Sequence, residues 1–251
     1  EKDGQVFQNH AEGKARKLAT LNTFFGYFHK KEMIQKNAPS VVDVPRIKEK
    51  NIIRMDANEV AQLIDNIESG EKLSKTQKVW HSKNKLRDLA IVVTLLGTGV
   101  RVTELVGLDI SDLDFDNGAM RVIRKGGNED IVYFGEEAEE MLRNYLDERL
   151  TMEPEPGHEN ALFISQKNTR ITVRSVERLV KKYASTATAK KITPHKLRST
   201  YGTALYQETG DIYLVADVLG HKNVNTTRKH YAAMKEENKR KAAQVVQLRE
   251  K

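Results

Sequence analysis

The sequence predicts a mainly α-helical α+β protein in which a single β-hairpin interrupts a series of helices. Three observations carry that expectation. Apolar residues recur at helical spacing through most of the 251 residues. One stretch, Ala119 to Phe134, alternates apolar and polar side chains around the glycine-bearing turn RKGGNED. Toward the C-terminal end, helix starts and stops crowd together at Thr193-Pro194, Gly210, Gly220 and Asn225-Thr226-Thr227.

Taken in order, residues 1–13 read as polar and frayed, and a helix over Ala15–Lys31 carries Leu18, Leu21, Phe24, Phe25 and Phe28 on one stripe. That stripe needs a packing partner, and a helical hairpin lying on the main domain is one reading of it. Residues 37–54 hold two prolines, no helical period and several basic residues, the pattern of an extended linker. Asp56 with Glu59 forms a capping-box pattern, opening a helix with Val60, Leu63, Ile64 and Ile67 inward. Residues 69–81 read as a polar loop. Leu86–Leu96 is apolar nearly all round and is expected at the centre of the core, ending at Gly97-Thr98-Gly99.

A new helix is expected around Arg101. The hairpin strands are read as Ala119–Ile123 and Ile131–Phe134. An acidic helix follows over Glu136–Leu150 with Met141, Leu142, Tyr145 and Leu146 inward, then a loop over 151–160 and a short strand over Ala161–Ile164. Thr172–Ala184 is a basic amphipathic helix with Arg174, Arg178, Lys181 and Lys182, either a duplex-facing surface or simply a solvated face. Thr193 and Pro194 suit the start of the next helix, where a missing N–H costs nothing. On it, Leu197, Tyr201, Ala204 and Leu205 are expected inward, while His195 and Arg198 share another face. A further short helix over Ile212–Leu219 stops at Gly220, directly before His221, and another starts before Tyr231.

Composition narrows the function classes. Lys and Arg number 42 against 35 Asp and Glu, a formal charge of +7 that suits a polyanionic partner. No cysteine is present, which excludes disulfides, thiol nucleophiles and cysteine-zinc sites and is compatible with a reducing cytoplasm. No apolar run reaches membrane-spanning length, so no membrane partner is expected. No signal peptide is visible, and the chain starts at Glu1 without Met, so a longer parent protein is expected. Neither a GxxxxGK[ST] loop nor a two-metal carboxylate cluster occurs, and neither a cofactor nor a metal is expected.

The segment Thr193–Tyr231, TPHKLRSTYGTALYQETGDIYLVADVLGHKNVNTTRKHY, holds HxxR, then LGH, then Tyr231. In that order and with both glycine stops, it resembles the second signature box of the tyrosine recombinases, the phage-integrase family. TGVRVTELVGLDISDLDF resembles the family's first box. Arg101 there admits two readings, a salt bridge to Glu104 or a phosphate ligand held by that glutamate, and the resemblance implies the second. It also implies that Lys125 is the hairpin lysine, although Arg124 is a rival and the turn departs from the family's common Gly-Lys-Gly form. Ser199 stands where many relatives carry His.

The resemblance covers roughly residues 15–240. It implies the last part of a helical core-binding domain over 1–38, a linker over 39–54, a catalytic domain over 55–236, and a tail helix over 237–251 that docks on a neighbouring protomer or folds back on its own. The function it implies is site-specific DNA recombination through a 3′-phosphotyrosyl intermediate, in the integration or excision of a mobile element in bacterial cytoplasm, close to the nucleoid.

In that chemistry Arg101 and Arg198 present paired N–H donors to the non-bridging oxygens, and His221 adds another. His195 takes the proton of Tyr231, whose phenol is largely protonated at neutral pH, and Lys125 protonates the leaving 5′ oxygen. The partners implied are double-stranded DNA, touched also by Arg124, Arg174, Arg178, Lys181, Lys182 and Lys196, three further copies of the chain on paired sites (with a monomer off DNA), and an accessory directionality factor. A type IB-like topoisomerase shares the phosphate chemistry, and a catalytically silent DNA-binding repressor would share only the binding. Of the other tyrosines, Tyr201, Tyr206 and Tyr213 are read as core residues.

Overall fold

In the computed structural model the described residues are 9–46, 53–221 and 224. The chain divides into two compact units, Glu1–Asn51 and Ile52–Lys251. In the first, helix α1 (Ala11–Lys30) buries Leu18 but leaves Leu21 and Phe24 largely exposed. Phe24, Phe25 and Phe28 pack edge to face along it. A short 3-10 turn, Ala38–Val41, with Pro39 in its first turn, replaces part of the extended linker expected here.

The second unit is mainly helical with one small sheet. Helix α2 (Ala57–Ser69) starts with the expected capping box, in which Asp56 and Glu59 each accept the other's backbone N–H at 2.9 Å. Helix α3 runs Lys75–Thr98 and so absorbs much of the loop expected over 69–81. Its N-terminus is a second capping box, Ser74 with Gln77, a pattern present in the sequence and outweighed there by the polarity of its neighbours.

Helix α3 is the centre of the core. Leu89 through Val93 and Leu95 are buried, and the helix packs on α2, on α5 (Glu136–Leu150) and on α7 (Pro194–Thr209). Between α3 and α5 lie α4 (Val102–Gly107) and an antiparallel sheet ordered β1 (Leu113–Asp114), β2 (Ala119–Ile123), β3 (Glu129–Tyr133). Met120 pairs with Val132 and both face the core; Arg121 pairs with Ile131 on the outer face. Strand β3 starts two residues earlier than the alternation suggested. Residues 161–164 form isolated bridges, Asp109 to Ala161 and Ile164 to Arg170, in place of the expected strand.

Helix α6 (Val173–Ala187) buries Val176, Leu179, Val180 and Tyr183 against α2 and α3. On α7 the buried face is Leu197, Arg198, Gly202, Thr203 and Tyr206; Tyr201 and Leu205 are half-buried, and Ala204 is exposed rather than inward. Helix α8 (Ile212–Val218) adds Val215 and, just beyond its end, Leu219 to a small cluster with Tyr206. No helix among the described residues is long and apolar enough to cross a membrane.

Candidate active site

The site is built on the turn that ends α3. Gly99 closes the helix with φ +64°, and a Cβ there would lie 2.4 Å from the Tyr201 ring, so conformation and space both require glycine. Two residues later, Arg101 caps α4 and Glu104 sits in the first turn. Glu104 Oε2 accepts the Arg101 backbone N–H at 2.8 Å, and Oε1 accepts Arg101 Nη1 at 2.6 Å. Arg101 also donates Nη2 to the Gly220 carbonyl at 3.1 Å. The carboxylate is buried while the Arg101 side chain is 32% exposed. The salt bridge to Glu104 is therefore present, and it leaves the guanidinium at a surface.

The hairpin turn contributes two adjacent cations with different surroundings. Lys125 is exposed at the tip. Arg124 is only 11% exposed and donates to Asp130 at 2.9 Å, to Glu104 Oε2 at 3.1 Å and to the Val218 carbonyl at 3.3 Å. Without DNA, then, Arg124 is held within the protein rather than free at the turn. The pull of a buried carboxylate 20 residues upstream draws it inward.

Helix α7 starts at Thr193 as expected, though the Thr193 side chain makes no capping bond. His195 is exposed in the first turn. Arg198, one turn on, is buried and donates to the carbonyls of Gly99 (2.5 Å) and Leu219. It thus ties the turn before Arg101 to the end of α8. Gly220 turns the chain with φ +58°, and the His221 N–H closes α8 onto the Ala216 carbonyl at 2.8 Å.

These ties shape a cleft of about 780 Å³, with Arg101, Lys125 and His221 on its walls beside Asp130, Asp217 and Gly220. Arg124 forms part of its floor. Arg198 is held behind the wall, and His195 is not among the residues that line the cleft. Tyr231 and the tail lie outside the described residues. Burial pushes the phenols of Tyr201 and Tyr183 up from their ordinary value, and that of Tyr145 to about 12, which makes each a poorer nucleophile. Tyr206 is buried, but Tyr213 is 71% exposed, contrary to its reading as a core residue. Helix α8 is short and its inward face is taken by Val215 and Ala216.

On α6, Arg174, Arg178 and Lys181 form an exposed stripe. Lys182 does not belong to it. Its Nζ lies 3.2 Å from buried Asp88 and 3.9 Å from the centre of the Tyr183 ring. Asp88 also accepts from Tyr183 Oη at 3.0 Å and twice from Arg87, a cluster that the apolar run around Asp88 concealed. Lys196 is half-buried at the start of α7.

The comparisons with known proteins agree with this geometry. The sequence profile of the phage integrase family matches residues 53–238. Tyrosine recombinase XerC of Syntrophus aciditrophicus is 33% identical over 229 residues, covering 87% of this chain and 68% of that protein. Tyrosine recombinase XerS of Streptococcus agalactiae is 38% identical over 196 residues, 77% of this chain and 54% of that one. The XerC of Corynebacterium glutamicum is spanned to 65% of its length, so the chain covers about two thirds of such relatives. Among solved structures, XerA recombinase superposes with TM-score 0.63 at 27% identity, over 89% of this chain and 82% of that one. The Tn1549 transposon integrase with transposon right end DNA has the same fold, at TM-score 0.69 and 24% identity over 96% and 81% of the two chains. A cleft lined by an arginine, a lysine and a histidine, on this fold and with this degree of likeness, places the chain in the phage integrase family, the tyrosine recombinases.

Proposed function

We propose that the protein cleaves and rejoins double-stranded DNA at specific sites through a 3′-phosphotyrosyl intermediate, in the integration or excision of a mobile element. The observation that carries this reading is the convergence of Arg101, Lys125 and His221 on one cleft, with Arg198 fixing the two turns that present them. The three relatives are tyrosine recombinases by name, and one structural neighbour is a transposon integrase.

In the proposed step the Tyr231 oxygen attacks phosphorus and His195 takes its proton. The bond from phosphorus to the 5′ oxygen breaks, and Lys125 protonates that oxygen. Arg101 and His221 neutralise the charge growing on the non-bridging oxygens, joined by Arg198 once DNA draws its guanidinium away from the Gly99 and Leu219 carbonyls. Exchanging one phosphodiester for another needs no external energy source, since the phosphotyrosyl bond holds the strand for rejoining.

The stripe Arg174, Arg178 and Lys181, with Lys196, is read as the phosphate-contacting surface of the duplex. The first unit is read as part of a DNA-clamping domain, and its exposed Leu21 and Phe24 support an unfinished bundle. Assembly is proposed as four copies on paired sites and a monomer off DNA, with the apolar stretch of the tail (Ala242–Leu248) docking on a neighbour and an accessory factor setting direction. The setting is bacterial cytoplasm, at the nucleoid.

The test is trapping on a nicked suicide substrate with peptide mapping of the DNA-linked residue. Tyr231→Phe is expected to bind DNA and form no adduct. An adduct mapped to Tyr213, which is exposed on α8, would move the nucleophile. Supercoil relaxation without exchange between two sites would identify a topoisomerase, and binding with no adduct in the parent protein a repressor.

A further inference from the structure

The adduct chemistry proposed above leaves Arg124 without a role, yet no side chain of the hairpin has more partners. It sits at the base of the turn, where its backbone N–H donates to the Asn128 carbonyl (2.7 Å) and its own carbonyl accepts from the Gly127 N–H (3.0 Å). Its guanidinium reaches three elements: Asp130 on β3, Glu104 on α4 and the Val218 carbonyl at the end of α8. Gly220 is moulded to it, because a Cβ at Gly220 would lie 2.8 Å from Arg124 Cζ.

Two features of this contact matter for the cleft. Arg124 bonds the Glu104 oxygen that also caps the Arg101 backbone, which fixes the carboxylate's rotation and so the direction in which its other oxygen holds Arg101 Nη1. Lys125 follows immediately, so the same anchor sets where the exposed tip begins.

We infer that Arg124 is a positioning residue that orients Arg101 through Glu104 and, at the same time, fixes the base of the turn that presents Lys125. The inference rests on the strand-transfer reading. It favours positioning over proton donation for Arg124, because three of its five N–H groups are committed to two carboxylates and a carbonyl. Lysine cannot replace it, since a single ammonium does not span three partners arranged as a planar fork.

The experiment measures single-turnover cleavage of a nicked suicide duplex by the full chain at saturating DNA, together with single-site affinity. Arg124→Ala is expected to slow cleavage by about a hundredfold, the size of effect that a small misplacement of catalytic groups produces. Affinity should stay within about twofold, and Arg124→Lys should recover little. A 5′-bridging phosphorothioate, which needs little protonation on leaving, should restore only part of the rate, because Arg101 is displaced as well.

Full restoration would confine the effect to the acid step and overturn the dual role, as would parent-like cleavage or a matching loss of affinity. Gly220→Ala supplies an independent arm. Backbone strain at φ +58° is common to both backgrounds, whereas displacement of the guanidinium is not, so the substitution should slow the parent by a larger factor than the Arg124→Ala protein. Equal slowing in both backgrounds would overturn the inference. A parent protein that forms no adduct at all would instead overturn the strand-transfer reading, and this inference with it.

Discussion

Glu104 and Asp88 are both buried carboxylates that hold two cations, yet they serve different ends. Asp88 joins two long helices. Arg87 reaches it along α3, Lys182 and Tyr183 reach it from α6, and Arg87 also bonds the Ile164 carbonyl. Its principal cation is 12% exposed. Glu104 instead holds Arg101, on a short helix beside a cleft, and leaves that guanidinium 32% exposed. The contrast teaches that burial of the anion does not reveal function. What distinguishes a mount from a joint is whether its cation still faces outward.

Substitution of the two carboxylates breaks or confirms that distinction, and carries the largest expected effect. Asp88→Ala leaves Arg87 and Lys182 without their anion and should cost about 3–5 kcal/mol in urea unfolding, the usual effect of stranding one side of a buried pair. Cleavage by the folded fraction at saturating DNA should be unchanged. Glu104→Ala should lose comparable stability and also fall about 10²–10³-fold in cleavage, the scale of a lost transition-state donor. Equal cleavage defects per folded molecule in the two variants would erase the contrast between joint and mount.

Arg101→Lys sharpens it from the other side. Lysine keeps the charge next to Glu104 but not the paired donors. Cleavage should drop about 10²-fold, and stability should move by less than about 1 kcal/mol because the side chain is partly solvated. A stability loss as large as that of Asp88→Ala would show that Arg101 is also a joint.

The sequence made the mount easier to find than the joint, for a physical reason. Arg101 and Glu104 lie three residues apart just after a glycine stop, so local helix geometry pairs them and spacing alone reveals the pair. The same holds for Asp56 with Glu59 and, had its polarity not misled, for Ser74 with Gln77. Asp88 lies within an apolar helical run, and its partners Lys182 and Tyr183 come from far along the chain, where no periodicity points to them. Arg124 fails for the same reason: beside Lys125 in a turn it reads only as a rival to that lysine or a DNA contact, and only the fold brings Glu104 and Val218 to it. Arg198 was legible by its spacing from His195, but its hold on the Gly99 and Leu219 carbonyls was not. Tyr213 was misjudged because helical spacing says nothing about how short a helix is or which neighbour covers it.

A third carboxylate, Glu59, sets the lower end of the scale, because it is the most solvated of the three and its effect can be read from pH. It caps α2 and accepts from Thr188 Oγ1 at 2.6 Å and Lys190 Nζ at 2.6 Å, joining α2 to the segment after α6. Its partial burial would raise the carboxyl pKa, but the bonds from Lys190, Thr188 and the Asp56 N–H together outweigh that and hold it at about 2. Because the folded value lies below the unfolded value of about 4.3, the folded state prefers the charged form. The stabilisation is therefore complete above about pH 4.3 and is lost as pH falls toward 2. The Lys190 side chain is 42% exposed, so solvent screening limits the contribution to about 1 kcal/mol, well short of what the shift alone implies. Glu59→Gln should lower stability by that amount at pH 7, and the gap from the parent should close as both are titrated from pH 4.3 to 2. Raised salt should narrow the pH 7 gap as well, since a solvated pair is screened. A gap that stays constant down to pH 2 would show that Glu59 acts only as a neutral helix cap, and cleavage should be the same in both proteins at every pH where both remain folded.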